Sequence, residues 1–181
     1  MELSDKESWD EVGYDISIIR PQMRNGDIRM RGKGMSSARL NSIKKGLLGL
    51  HTLEGLAINI YRFQITKEES ELNRHLIAAM CNEMTHLQDF QVKLLEYGWK
   101  PSRLRWAYLI VGFALGCVSR LMGTQKILRT GIWGETKAVR HYGRLLETVD
   151  WDEATRRVIE KDQADEAGHM NRWKKLIESR K

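Results

Sequence analysis

Apolar residues return every three to four positions along most of this chain, the spacing of helices with one buried face. Leu40, Leu47, Leu50, Leu53, Ala57, Ile58 and Tyr61 predict a first helix from Ser37 to about Phe63. Thr66-Lys-Glu-Glu69 reads as a capping box that ends this helix and starts the next. Leu76, Met80, Leu87, Phe90 and Leu94 then share a face, and Gly98 with Pro101 predicts the stop. From Ser102 to Gly123 the pattern changes. The stretch from Trp106 to Val118 is apolar almost all round, with arginines on both flanks. A fourth periodic segment covers about Thr124–Thr148, interrupted by Gly131 and Gly134. Asp150-Trp-Asp-Glu153 resembles a second capping box, opening a last helix that runs to about Glu178. No segment alternates as a strand does. The expectation is an all-α bundle of four long helices and one shorter apolar helix.

Residues 1–35 show no sustained period and are read as an irregular basic N-terminal arm, with 36–181 as the helical domain. A length of 181 residues suits one core. The 41 % hydrophobic content and two prolines exclude a disordered chain. Two cysteines, Cys81 and Cys117, cannot build a disulfide framework and are expected as small buried hydrophobes in a reducing compartment. No apolar run is long enough to span a bilayer, and the acidic N-terminus is unlike a targeting signal.

The net charge of +6 is concentrated in two zones. Arg20, Arg24, Arg29, Arg31, Lys33, Arg39, Lys44 and Lys45 are opposed only by Asp27, and Lys100, Arg103, Arg105, Arg120, Lys126 and Arg129 by no acid. The second zone encloses the all-round apolar segment. Arg103 and Arg105 beside Trp106, Tyr108, Leu109 and Ile110 are the composition of an interfacial helix on an anionic membrane surface. Nucleic acid is not an expected partner, because the basic residues flank an apolar surface rather than stacking aromatics alone.

The candidate chemistry lies in two Glu-x-x-His pairs, Glu83/His86 and Glu166/His169, each inside a helix. A spacing of three stacks carboxylate and imidazole on one face, within reach of one metal. Glu54 and Glu135 stand on the apolar stripes of the first and fourth long segments. Inward glutamates are rare unless paired or metal-bound, because a bare buried carboxylate costs several kcal/mol. The order Glu, then Glu-x-x-His, occurs twice. Four carboxylates and two imidazoles inside a bundle suit a pair of irons, ahead of manganese. Tyr61 and Tyr142, each two turns from one of these glutamates, are candidates for a proton or electron relay or for packing. His51 and His141 are candidates for outer donors or for packing, and Asp162 either orients a ligand histidine or sits on the surface.

His51-Thr52 with Glu54-Gly-Leu-Ala-Ile-Asn-Ile-Tyr61, and Glu83-Met-Thr-His86-Leu-Gln-Asp-Phe90, resemble the first two iron motifs of the demethoxyubiquinone hydroxylases of ubiquinone biosynthesis. Val111-Gly-Phe-Ala-Leu-Gly116 is similar to that family's apolar segment. Glu135 with His141-Tyr142, and Asp165-Glu-Ala-Gly-His169, match its third and fourth motifs in spacing. The resemblance runs from about residue 37 to 178. It implies a ferritin-like four-helix bundle with a short interfacial helix. It also implies a di-iron centre with Glu54 and His86 on one iron, Glu135 and His169 on the other, and Glu83 and Glu166 bridging.

The implied enzyme is an O2-dependent monooxygenase hydroxylating the ring of a membrane-borne quinol, with electrons from NAD(P)H. The implied location is peripheral, on the cytoplasmic side of a bacterial inner membrane, ahead of the mitochondrial matrix face. A second copy of the chain or an accessory lipid-presenting protein is left open as a protein partner. Leu50, Leu53, Arg129 and Trp133 depart from the family pattern, and Ala167-Gly168 stand where it is richer in acids. The competing expectation is a ferritin-like di-iron protein that handles iron or reduces peroxide.

Overall fold

The computed structural model describes residues 23–179; the acidic first residues and Arg20 lie outside them. The described residues form five α-helices and a short 3-10 turn at Asn25–Asp27, with no strand among them. The helices are α1 (Ser37–Gln64), α2 (Glu71–Glu96), α3 (Arg105–Leu121), α4 (Thr124–Thr148) and α5 (Glu153–Glu178). α1 pairs with α2 and α4 with α5, and α3 lies along the outside of α1 as the crossover between the pairs. This is a ferritin-like bundle, with its one long connection itself helical.

Two helix starts lie later than the sequence suggests. The N-cap of α2 is Ser70, whose hydroxyl accepts from the Asn73 amide, not Thr66. The Asn73 side chain explains the shift: it bonds the Thr66 amide and the Thr66 and Glu68 carbonyls, holding 66–70 as a loop. The N-cap of α5 is Asp152 instead of Asp150. Asp152 is also held by Arg31 at 2.7 Å and by the Tyr97 hydroxyl at 2.5 Å. The expected stop at Gly98 is present. Its φ of 73° closes α2 with the bonds Gly98 N–H to Leu95 O and Trp99 N–H to Leu94 O, a Schellman ending.

α4 runs unbroken through Gly131 and Gly134. Gly131 is a point of close approach, since a Cβ there would lie 3.1 Å from the Trp173 ring. Neither cysteine is buried as expected: Cys81 is exposed and Cys117 half-buried, because each falls on an outward face of its helix. The described part of the arm is fastened to the bundle. The Arg29 amide donates to Glu96, and the Arg31 guanidinium meets Glu96 at 2.6 Å, beside Lys93 at 2.9 Å.

α3 approaches α1 through glycines. A Cβ at Gly112 would meet Leu56 O at 2.8 Å, and one at Gly116 would meet Ile60 O at 2.6 Å and Phe63 Cβ at 2.8 Å. Backbone cannot yield as a side chain tip can, so Gly116→Val should force α3 outward and destabilise the fold by about 1–3 kcal/mol. Urea unfolding measures this, and an unchanged midpoint would contradict the packing described. The apolar core forms two layers. One contains Ile43, Leu47, Leu50, Phe90, Leu94, Tyr142 and Ile159. The other contains Tyr61, Leu72, Leu76, Ile127, Leu128 and Trp173, at the opposite end of the bundle. Between them is a polar stratum.

Candidate metal centre

The four bundle helices each contribute to that stratum, at heights set by their antiparallel registers. Glu54, Glu83, His86, Glu135, Glu166 and His169 are all at most 4 % exposed. Their donor atoms form two groups, each with members within 4.8 Å of one another: Glu54, Glu83, His86 and Glu166, and Glu83, Glu135, Glu166 and His169. Glu83 and Glu166 belong to both. His169 Nδ1 lies 3.0 Å from Glu83 and 3.6 Å from Glu135. His86 Nδ1 lies 3.3 Å from Glu166, 3.5 Å from Glu83 and 3.9 Å from Glu54. The structure thus brings all six predicted residues together around two points.

The arrangement fits a pair of cations. Both carboxylate oxygens of Glu83 and of Glu166, and Nδ1 of each histidine, are buried without a hydrogen-bond partner. Among the described residues no lysine or arginine forms an ion pair with these four glutamates. Unpaired buried carboxylates cost several kcal/mol each, and metal coordination is the usual compensation. Oxygen-rich sites with one imidazole per metal suit iron or manganese.

Without metal, protons must serve instead. Burial and the neighbouring Glu83 push the Glu54 and Glu166 carboxyls well above the carboxylate range. Burial also opposes ionisation of Glu83, but the close approach of the His169 and His86 rings outweighs it and holds this carboxyl low. Burial disfavours the His169 cation, yet Glu135 and Glu83 lift its pKa to about 9. Metal ligation requires these groups deprotonated. Ferrous iron uptake at pH 7 should therefore release protons, and affinity should rise toward pH 9 by about tenfold per pH unit for each proton displaced. Calorimetry in buffers of different ionisation enthalpy measures this; uptake without proton release would show that these groups do not hold the metal.

The tyrosines cross over. Tyr61 donates to Glu135, and Tyr142 to Glu54 Oε1 at 2.5 Å, so each phenol serves the glutamate of the opposite helix pair. Because α1 and α4 run antiparallel, the equal seven-residue spacings of Tyr61 from Glu54 and Tyr142 from Glu135 bring both crossed pairs to matching heights. Trp173 Nε1 reaches Glu135 at 3.5 Å. His86 Nε2 meets Asp165 at 3.2 Å, and Asp162 lies 3.8 Å away. Asp162 is not a surface residue: it is fully buried, carries a pKa raised to about 6 chiefly by burial, and bonds Lys161. The role of Asp165 was missed from the sequence, although Asp162, Asp165, Glu166 and His169 share one helical face. His51 bonds Gln91 and His141 Nδ1 accepts from Arg144 at 3.0 Å, and neither bonds any of the six.

A cavity of about 330 Å³ opens beside the centre between α1 and α4. Leu53, Leu56, Ala57, Ile60, Tyr61, Trp133 and Ala138 line it, with Glu54, Glu135 and Glu166 on the side of the buried acids and Lys137, His141 and Arg144 toward solvent. Of the positions that depart from the family pattern, Leu53 and Trp133 face this cavity, whereas Leu50 is buried in the core. α3 buries only Gly112, Gly116 and Ser119. Its Trp106, Tyr108, Leu109, Ile110, Val111, Phe113 and Val118 are exposed. No helix among the described residues is long and apolar enough to cross a membrane.

Comparison with known proteins bears on the same elements. A 3-demethoxyubiquinol 3-hydroxylase from Polaromonas sp. (strain JS666) is 29 % identical over 121 residues, which cover 66 % of this chain and 58 % of that relative. The match thus spans little more than half the relative's length. The family model described as Ubiquinone biosynthesis protein COQ7 matches residues 50–172, the span that contains all six buried acids and histidines, both tyrosines and α3. The chain belongs to the COQ7 family of ubiquinone biosynthesis proteins.

Proposed function

We propose that this protein is a di-iron, O2-dependent hydroxylase acting on the aromatic ring of a membrane-borne demethoxyquinol. The observation that carries the reading is the pair of four-residue donor groups sharing Glu83 and Glu166 at the wall of an apolar cavity. The name of the Polaromonas relative supports the substrate class. Glu54, Glu83, His86, Glu135, Glu166 and His169 would hold the two irons, which when bound would supply activation of dioxygen for aromatic C–H hydroxylation.

The chain's own residues do the rest. Tyr61 and Tyr142 keep Glu135 and Glu54 oriented, each hydrogen-bonding one carboxylate oxygen. Their phenols are held protonated by burial and by those same carboxylates. Asp165 accepts from His86 Nε2, fixing the ring so that Nδ1 turns toward the acids. Leu53, Leu56, Ala57 and Ile60 exclude water and offer apolar contact to a ring. The exposed apolar face of α3 supports a membrane-borne substrate: on this reading Trp106, Tyr108, Leu109 and Ile110 enter the headgroup layer while Arg103 and Arg105 meet its phosphates.

Protein purified with ferrous iron should contain about two irons per chain and convert a short-tailed demethoxyquinol to its hydroxylated product in the presence of oxygen and a reductant. Mass spectrometry with labelled oxygen gives the result. Iron oxidation or peroxide consumption without labelled product would put the iron-handling reading in its place, and a chain that takes up no iron would end both.

A further inference from the structure

The corner where α3 hands over to α4 contains a second groove, lined by none of the six residues of the candidate metal centre. It has a volume of about 680 Å³ and is lined by Gln64, Lys67, Arg120, Gly123 and Thr124, among others. α4 begins here at Gly123 with no side-chain cap. The Lys126 and Ile127 amides bond the Gly123 carbonyl, but among the described residues those of Thr124 and Gln125 find no backbone acceptor. Unsatisfied amides at the positive end of a 25-residue helix favour an anion. Lys67 and Arg120 are exposed and form no ion pair with a described residue. The exposed Glu68 also borders the groove and tempers this charge.

Gln64 points to the rest of the ligand. It is 1 % exposed, its Nε2 donates to Ser119 at 2.8 Å, and its Oε1 has no partner. The amide orientation follows from Ser119, whose hydroxyl proton is committed to the Leu115 carbonyl at 2.7 Å, leaving the oxygen to accept from Gln64. Gln64 lines the groove and Ser119 does not, so the partnerless Oε1, beside the second Nε2 proton, is what Gln64 has left to offer there. A buried acceptor requires a donor. The apolar Val118, Leu121 and Met122 stand exposed at the same corner, Leu121 at 87 %.

We infer that this groove binds a phosphate ester that carries its own hydrogen-bond donor. The phosphate meets the Thr124 and Gln125 amides with Arg120 and Lys67, and an attached ammonium or hydroxyl donates to Gln64 Oε1. A phosphatidylethanolamine headgroup has this chemistry, with its acyl chains continuing over Leu121 and Met122; a free phosphate compound shares the polar part.

Calorimetric titration of the iron-loaded full chain separates these sources. The probes are dihexanoyl-phosphatidylethanolamine below its micelle concentration, the matching phosphatidylcholine, glycerophosphoethanolamine and inorganic phosphate. The ethanolamine lipid should bind saturably and about tenfold more tightly than the choline lipid, which has no N–H. Thr124→Pro removes one amide donor at a position where proline favours the helix, and should weaken binding several-fold without loss of stability. Arg120→Gln should do the same. Gln64→Leu should erase the preference over choline. Equal binding of glycerophosphoethanolamine or phosphate would identify the ligand as a soluble phosphate, and tight binding of the lipid alone as a membrane headgroup. No saturable heat with any probe, or wild-type affinity in Thr124→Pro, overturns the site. Because the readout is binding rather than hydroxylation, the outcome is independent of the function proposed for the metal centre.

Discussion

Glu166→Gln and Glu83→Ala should each cost the protein both metals and reduce oxygen consumption by more than about a hundredfold, the upper range for loss of only an outer partner of a ligand. The reason is that these two carboxylates belong to both donor groups, so one substitution leaves each group a ligand short. Stability should move differently. Glu166 is 1 % exposed, has no lysine or arginine partner among the described residues, and is repelled by Glu83, Glu135 and Glu54. Replacing it by the isosteric amide should leave the iron-free protein at least as stable as the parent, because no buried charge need then be neutralised. Metal analysis and thermal unfolding after chelation test the two halves together. Glu71→Ala, on the exposed first turn of α2, should change neither property. Equal losses in all three variants would show that the assignment of inward faces is wrong.

Trp106→Ser combined with Leu109→Ser should weaken association with neutral and acidic vesicles alike. Trp106 is 61 % exposed and Leu109 41 % exposed, so their outer surfaces have no cover among the described residues. Inserting such area into the headgroup boundary recovers roughly 25 cal/mol per Å², and losing two large side chains should lower partitioning by at least about tenfold. Arg103→Gln with Arg105→Gln should leave neutral vesicles unaffected. On acidic vesicles each arginine contributes up to about 1 kcal/mol, so the pair should cost up to about thirtyfold, fading as salt is raised. Vesicle flotation distinguishes these patterns. Failure to float with either lipid would mean that another protein surface covers α3, and the quinol would then need a different route to the cavity.

These two results probe different layers of the same sequence. The helices and the inward placement of Glu54, Glu83, His86, Glu135, Glu166 and His169 were legible in the chain because both rest on local periodicity. A residue spaced three, four or seven positions from buried leucines must share their side of the helix. The outward face of α3 was legible for a related reason: a short segment apolar all round, between arginines, has more greasy surface than one neighbouring helix can bury. The helix starts were less legible. Thr66 carries a capping sequence, but the Asn73 side chain reaches back and claims the loop for itself.

What the chain by itself determined is therefore the fold class, the set of six buried donors and the surface helix. Pairings between distant helices were settled only in three dimensions. Tyr61 serves Glu135 and Tyr142 serves Glu54 because α1 and α4 run antiparallel with these residues at matching heights, a register no local spacing encodes. Asp165 becomes the partner of His86 through the packing of α5 on α2. The groove at Gln64 likewise exists only because Gly112 and Gly116 let α3 close on α1 and bring the start of α4 beside the end of α1. Periodicity tells a side chain which way to face; only the packed helices determine what it meets there.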